Sequence, residues 1–223
     1  MSALAARRHR GVRAGTLVAA ITLSAGITGL IVGSAAQQIA GRHLAVWVVG
    51  RASAMCAYVL LVALVLMGLL LSHPWRSRVR RPSTAARIRL HITLSVFTLV
   101  FITLHIVILA TDRYAGVGWW GALVPMGASY RPVAITIGLI AVWSGLLAGI
   151  TAALAGRLPR RLWWPIHKVA SVALVLAWLH SVLGGKDTVA LFVLYIPTAA
   201  LLVVVGVSRY VAHQPADRIA ELH

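Results

Sequence analysis

Most of this sequence lies in apolar stretches of roughly twenty residues, which are separated by short segments rich in arginine. At about 1.5 Å of rise per residue, a helix of this length crosses the ~30 Å hydrocarbon core of a bilayer. Hydrophobic residues make up 60% of the chain and charged residues 11%, which is more apolar surface than a soluble domain of 223 residues can cover. Backbone groups inside a bilayer must find hydrogen-bond partners within the protein. The sequence therefore predicts an all-α integral membrane protein.

Six membrane spans are predicted. They cover residues 15–36, 44–72, 90–111, 133–155, 165–183 and 188–207, with polar tails at 1–14 and 208–223. The basic start, apolar stretch and Ser-Ala-Ala ending of residues 1–36 also resemble a cleavable signal peptide. Because the apolar stretch from Gly15 to Gly33 is longer than the apolar region of most signal peptides, a retained first span is favoured. The expected architecture is a six-helix bundle.

Basic residues are distributed unevenly among the loops. Lysine and arginine number 21 against four acidic residues, which gives a net charge of +17. Sixteen of the 21 lie on one side: in the two tails, in the loop between spans two and three, and in the loop between spans four and five, if Lys168 at the start of span five is counted with that loop. The positive-inside rule places these segments in the cytoplasm, so both termini are expected inside a cell membrane. Since these charges lie in short loops, with no soluble basic domain, the expected partner is membrane lipid rather than nucleic acid.

Four histidines lie within two of the predicted spans. His91 and His105 are fourteen residues apart in the third span, and His167 and His180 are thirteen apart in the fifth. These spacings correspond to roughly 20 Å along a helix, so each span offers one imidazole near each membrane face. Counting spans makes the two helices parallel, which pairs His91 with His167 at the inner face and His105 with His180 at the outer face. Neutral imidazole is a common haem ligand, and this arrangement is the one needed to hold two stacked b-type haems.

The thirteen-residue spacing conflicts with an ideal helix. At 100° per residue, fourteen residues return to within 40° of the starting face, whereas thirteen leave an offset of about 140°. Local over- or under-winding near Pro165, or two differently rotated haems, would remove the conflict. Pro165 is expected at the first position of the fifth helix, where its missing N–H is not needed.

Other uses of these residues remain open. A membrane histidine can join neighbouring helices, and histidines can also form a proton or metal-ion path, although such paths usually recruit acidic residues. All four acidic residues lie outside the predicted spans: Asp112, Asp187, Asp217 and Glu221. Cys56 is the only cysteine, which excludes an internal disulfide, a CxxCH haem attachment and a cysteine-ligated iron–sulfur cluster.

Two arginines near the predicted outer face are candidates for contacts with haem propionates. Arg51 either extends to the outer interface or partners a propionate, and Arg131 is a candidate for the same propionate contact. Residues 116–121 match the G-x-G-x-x-G pattern of dinucleotide sites. Because this stretch follows a membrane span rather than a strand, it is interpreted as an interfacial loop with an aromatic belt.

The sequence resembles the ferric reductase-like transmembrane domain family over roughly residues 44–207. This family includes the membrane domains of NADPH oxidases and iron reductases, and the haem-binding subunit of the periplasmic methionine-sulfoxide reductase system. The resemblance is carried by the spacing of the two histidine pairs and by four short stretches. These stretches are Trp164-Pro-Ile-His167, His180-Ser-Val-Leu-Gly-Gly-Lys-Asp187, Gly50-Arg51-Ala-Ser53 and Pro125…Tyr130-Arg131-Pro132.

The resemblance implies a cytochrome b-like electron-transport protein. The four histidines would be axial ligands of the iron of two b haems, and electrons would pass from the cytoplasmic side to an external acceptor. Since the sequence ends sixteen residues after the sixth span, the donor is expected to be separate: a flavoprotein, a quinol or another subunit. The acceptor would be ferric iron, oxygen, a quinone or a periplasmic reductase, so the chain is either an oxidoreductase or its electron-transfer subunit. Alternatives are a haem-free metal transporter or assembly protein, and a single-haem subunit of a periplasmic reductase.

Overall fold

The structure, a computed structural model, describes residues 42–74, 82–185 and 188–211. Every regular element in these ranges is a helix, which confirms the all-α prediction for this part of the chain. The predicted first span, the N-terminal tail and most of the C-terminal tail lie outside the described residues. The chain divides into two compact units, residues 1–51 and 52–223.

The described residues form seven helices. In chain order these are α1 (Arg42–Ser72), α2 (Thr84–Thr111), α3 (Gly118–Leu123), α4 (Pro132–Ala153), α5 (Arg160–Lys168), α6 (Ala170–Gly184) and α7 (Phe192–Val211). Five segments are long and apolar enough to cross a membrane: Val46–Ser72, Thr84–Thr111, Pro132–Ala153, Arg160–Gly184 and Phe192–Arg209. They correspond to the second to sixth predicted spans. The chain is therefore a multi-pass membrane protein.

Helix α2 begins six residues before its predicted start at Leu90. Ser83 has an extended backbone, with φ −60° and ψ 155°, and its side-chain oxygen accepts a hydrogen bond from the Ala86 N–H at 3.3 Å. This is an N-cap, which satisfies one of the free donors of the first turn. The prediction that the second loop extends to Arg89 is wrong, because the cap lets the helix begin before the apolar run does. Arg87 and Arg89 consequently lie in the first turns of α2.

The fifth predicted span begins earlier than Pro165. Pro159 has an extended backbone, with φ −62° and ψ 140°, and caps α5, so Pro165 lies inside the helix rather than at its first position. The prediction for Pro165 is wrong because a second proline six residues earlier begins the helix.

A tight turn at Val169 separates α5 from α6. The Val169 N–H donates to the Ile166 carbonyl at 3.0 Å, and the Val172 N–H donates to the Val169 carbonyl at 2.9 Å. Such i to i+3 bonds are those of a 3₁₀ turn, which advances about 120° per residue instead of 100°. The extra rotation lies between His167 and His180, and it reduces the offset of about 140° expected for an ideal helix.

Two clusters of buried side chains hold the helices of residues 52–211 together. In the first cluster, Tyr58 of α1, Leu174 of α6 and Tyr195 of α7 pack together with Val62. The Tyr58 hydroxyl is hydrogen-bonded to the Thr198 hydroxyl at 2.7 Å, so this contact between α1 and α7 is polar as well as apolar. The second cluster packs the end of α2 against the α3 region; its buried members are Ala110, Val117, Ala122 and Ala128.

Helix α4 packs against α5 and α6 with a stripe of small residues. Ala134, Ala141 and Ala148 recur every seven residues and are only 4%, 7% and 2% exposed. Small residues let helix backbones approach closely, which is the usual basis of packing between membrane helices. Large apolar side chains elsewhere on the spans are exposed, including Ile150 and Val193. These surfaces suit contact with lipid.

The segment between α2 and α4 contains the stretch that matches the dinucleotide pattern. Gly116 and Gly118 have positive φ angles of 66° and 64°, and the short helix α3 starts at Gly118. The element that precedes this stretch is helix α2 rather than a strand. Trp119 and Trp120 are 52% and 70% exposed. This arrangement does not fit a dinucleotide-binding turn, which lies between a strand and a helix.

Candidate metal-ligand site

His91 of α2 and His167 of α5 lie side by side. Their ring centres are 6.2 Å apart, and the ring planes are inclined by 77°. With a metal–nitrogen bond of about 2 Å on each side, two imidazoles on opposite faces of one metal ion have ring centres about 6 Å apart. The separation of His91 and His167 therefore fits the axial ligands of a single haem iron.

The His91 ring lies against α1. Gly68 leaves room for it, because a Cβ atom at this position would be 3.3 Å from the His91 Cε1 atom. The backbone of Leu64 is a polar neighbour of the ring. The Nδ1 atom is nevertheless shielded from solvent and forms no hydrogen bond of ordinary geometry with the described residues.

His180 of α6 is held by helix α4. Its Nδ1 atom is 2.7 Å from the Ala134 carbonyl oxygen. Since a carbonyl oxygen can only accept, Nδ1 carries the proton and Nε2 keeps its lone pair. Gly138 makes this contact possible, because a Cβ atom there would lie 2.6 Å from Nδ1. In metal-binding histidines, one ring nitrogen typically donates a hydrogen bond to a carbonyl, and the lone pair of the other nitrogen binds the metal ion.

His167 faces the same helix. Its Nδ1 atom is 3.4 Å from the Ala148 carbonyl oxygen, which is a long hydrogen bond. Ala134 and Ala148 are fourteen residues apart on α4, so one helix offers carbonyl groups to both histidines of the fifth predicted span. The pairing of Ala134 with His180 and of Ala148 with His167 also shows that α4 is antiparallel to the segment formed by α5 and α6. The over-wound turn at Val169 supplies part of the rotation by which two histidines thirteen residues apart face one helix.

Aromatic rings surround His167. The Trp164 ring is stacked on the imidazole, with centres 6.2 Å apart and planes inclined by 26°. The Trp163 ring lies 6.0 Å away at 60° and contacts Trp164 edge-on at 5.3 Å. The guanidinium of Arg160 and the ammonium of Lys168 lie 5.8 and 5.6 Å from the centre of the Trp164 ring. These distances are within the range of cation–π attraction.

The other predicted site residues occupy several positions. His105 is half-buried on α2, fourteen residues after His91; its pairing with His180 stays a prediction. Within residues 1–51, the Arg51 guanidinium lies 4.1 Å from the centre of the Trp47 ring. Arg131 precedes α4 with a positive φ of 39°, and its Nη1 atom donates to the carbonyls of Leu183 and Gly185. This arginine therefore ties the start of α4 to the end of α6. A role for either arginine at a propionate stays a prediction.

Several residues that shape the site were not identified from the sequence. Ala134 and Ala148 act through backbone carbonyls, which every residue carries, so their identity gives no direct signal. The small residues of α4 do give an indirect one: Ala134, Gly138, Ala141, Gly145 and Ala148 alternate at spacings of four and three. Such spacing marks a helix face that is closely approached by a neighbour. Trp164 entered the sequence analysis only as part of a motif, and Trp163 was not identified.

No protein-family model, curated protein or solved structure matches this chain.

Proposed function

We propose that this chain is a haem-binding membrane protein that transfers electrons across the bilayer. The observation that carries the proposal is the 6.2 Å separation of the His91 and His167 rings, which suits two axial ligands of one iron. The orientation of His180 supports it, since the hydrogen bond from Nδ1 to Ala134 leaves the lone pair of Nε2 available to bind a metal ion. Both features lie on helices that are apolar enough to cross a membrane.

The proposed topology has six spans with both termini in the cytoplasm of a cell-membrane protein. On this topology His91 and His167 hold an inner haem b, and His105 and His180 hold an outer one. Haem iron supplies one-electron chemistry when bound, because it alternates between the ferrous and ferric states.

The protein contributes orientation and basicity to the ligands. A histidine that donates from Nδ1 to a carbonyl has its ring orientation fixed and its other nitrogen made more basic. His180 has such a bond at 2.7 Å, and His167 has a longer one at 3.4 Å. The two proposed sites therefore differ in how firmly their histidines are held. Hydrogen bonds to the ligating histidines are one determinant of a haem's reduction potential.

The electron donor and acceptor belong to the same proposal. The donor is a flavoprotein, a quinol or another membrane subunit on the cytoplasmic side. The acceptor is external, either ferric iron, which makes the chain a ferric reductase-like oxidoreductase, or a periplasmic reductase, which makes it an electron-transfer subunit. Basic side chains on the proposed inner side, including those of Arg160 and Arg161, favour approach of an acidic donor.

A reduced-minus-oxidised visible spectrum of the purified protein, with haem quantified per chain, tests the proposal. Two b-type haems per chain are expected, and H91A is expected to lose one and retain the other. W143L serves as the control, because Trp143 is 54% exposed on α4. A content of one haem per chain would agree with electron transfer but would refute the second haem site. A colourless protein, after expression with ample haem, would refute the proposal and favour a haem-free transporter or assembly protein.

A further inference from the structure

The two histidines of the fifth predicted span are held to different degrees by α4. His180 donates to Ala134 at 2.7 Å, which is a short hydrogen bond, whereas the Nδ1 atom of His167 is 3.4 Å from the Ala148 oxygen. Hydrogen bonds from ring nitrogens to carbonyls are usually about 2.9 Å long and weaken with distance. The longer bond is the weaker restraint on the plane of the His167 ring, so neighbouring rings have more influence on it.

Trp164 is one of these neighbours. Its ring is stacked on the imidazole at 6.2 Å with only 26° between the planes, whereas Trp163 meets the imidazole at 60°. A tryptophan that served only as an interfacial anchor would need its ring at the level of the lipid headgroups, without a particular angle to a neighbouring histidine. The near-parallel arrangement couples any rotation of the imidazole to loss of stacking.

The Trp164 ring is itself fixed from several directions. Arg160 and Lys168 place cations 5.8 and 5.6 Å from its centre, and Trp163 contacts it edge-on at 5.3 Å with 83° between the planes. Residues 160, 164 and 168 are four apart on a helix, so they share one face of α5. Trp164 is thus a braced ring in contact with a proposed ligand.

We propose that Trp164 is a positioning residue that sets the ring plane of His167 and thereby the 77° angle between the His91 and His167 rings. This inference rests on the proposed function, because the angle has a spectroscopic consequence only when both rings bind one iron. In low-spin ferric haem with two imidazole ligands, the angle between the ligand planes governs the splitting of the iron d orbitals. It therefore governs the anisotropy of the electron paramagnetic resonance signal.

The test compares W164L, W164F and wild type as purified, full-length ferric proteins. The signal lost in H91A identifies the haem held by His91 and His167. W164L removes the aromatic ring and is expected to shift the low-field g value of that signal, with no change in the signal of the other haem. W164F keeps a ring that can stack and is expected to retain the wild-type g value. W143L controls for removal of a membrane tryptophan.

Each outcome is decisive for Trp164. An unchanged g value in W164L overturns the inference, and so does an equal shift in W164L and W164F. If W164L loses this haem, retention of a wild-type signal in W164F supports the inference and its loss in W164F overturns it. Failure of the proposed function is distinct from all of these results, because the wild-type protein would then contain no haem.

Discussion

Replacing Gly138 with alanine tests how closely α4 approaches His180. An alanine Cβ atom at this position would lie 2.6 Å from the His180 Nδ1 atom and 2.9 Å from its Cγ and Cε1 atoms. Ordinary contacts of a Cβ atom are 3.4–4 Å, so the imidazole would have to withdraw by about 0.8 Å. The nearest atoms belong to a ring that is hydrogen-bonded to Ala134, so the movement cannot be taken up at the end of a flexible side chain.

The cost of this movement has three parts. Withdrawal of the ring would stretch its 2.7 Å hydrogen bond to near the limit for such bonds, a loss of about 1 kcal/mol. Overpacking in a tight contact adds about 1–3 kcal/mol. Replacement of glycine by alanine in the interior of a helix stabilises the helix by roughly 0.5–1 kcal/mol, which offsets part of this cost. The net penalty of about 1–3 kcal/mol corresponds to a roughly five- to 150-fold weaker site, since about 1.4 kcal/mol is a factor of ten.

The assay is haem content per chain together with the low-temperature reduced spectrum. G138A is expected to lose or shift the haem proposed for His105 and His180 and to retain the haem of His91 and His167. G149A is the matched control, because Gly149 is exposed on the same helix and a Cβ atom there would meet nothing within 4 Å. If G138A and G149A both gave wild-type haem content and spectra, the space next to His180 would not be limiting and the proposed outer site would lose its structural basis.

Three further substitutions examine the other contacts. H105A is expected to remove one haem signal and leave the other, as measured by haem content; loss of neither would refute the pairing with His180. Y58F removes the 2.7 Å hydrogen bond between Tyr58 and Thr198, so thermal unfolding should show a loss of about 1 kcal/mol of stability, with V59A at an exposed neighbour as control. R131M removes the donors to the carbonyls of Leu183 and Gly185 and should lower the unfolding temperature. A shift in the potential of one haem in R131M would additionally indicate a propionate contact, whereas an unchanged unfolding temperature would contradict the structural role.

The spans were predictable because membrane insertion depends on the length and composition of an apolar segment rather than on detailed packing. The same criterion placed helix ends less accurately. Helix α2 extends six residues into a basic segment because Ser83 caps it, and α5 begins after Pro159 because proline suits an extended cap position. Capping depends on one or two residues and is independent of hydropathy, so a criterion based on apolar runs does not detect it.

The histidine spacing predicted part of the candidate site for a physical reason. His91 and His167 both lie near the start of their spans, and parallel helices bring such positions to the same depth. The position of a histidine along its span does not determine the rotation of the helix about its axis, and therefore does not determine which neighbour the histidine faces. The turn at Val169, which reduces the angular offset between His167 and His180, results from i to i+3 hydrogen bonds. The carbonyl partners of the rings could not be identified for the same reason, since they depend on which face of α4 is presented.

The two carbonyl contacts of α4 also differ in the residue one turn further along the helix. A helical carbonyl bonds the N–H four residues later, and a second donor must approach past the side chain of that later residue. For Ala134 this residue is Gly138, which has no side chain, and His180 approaches to 2.7 Å. For Ala148 it is Ala152, which carries a methyl group, and His167 remains at 3.4 Å. The two carbonyl contacts thus differ in the residue four positions later, which is a glycine at the shorter contact and an alanine at the longer one.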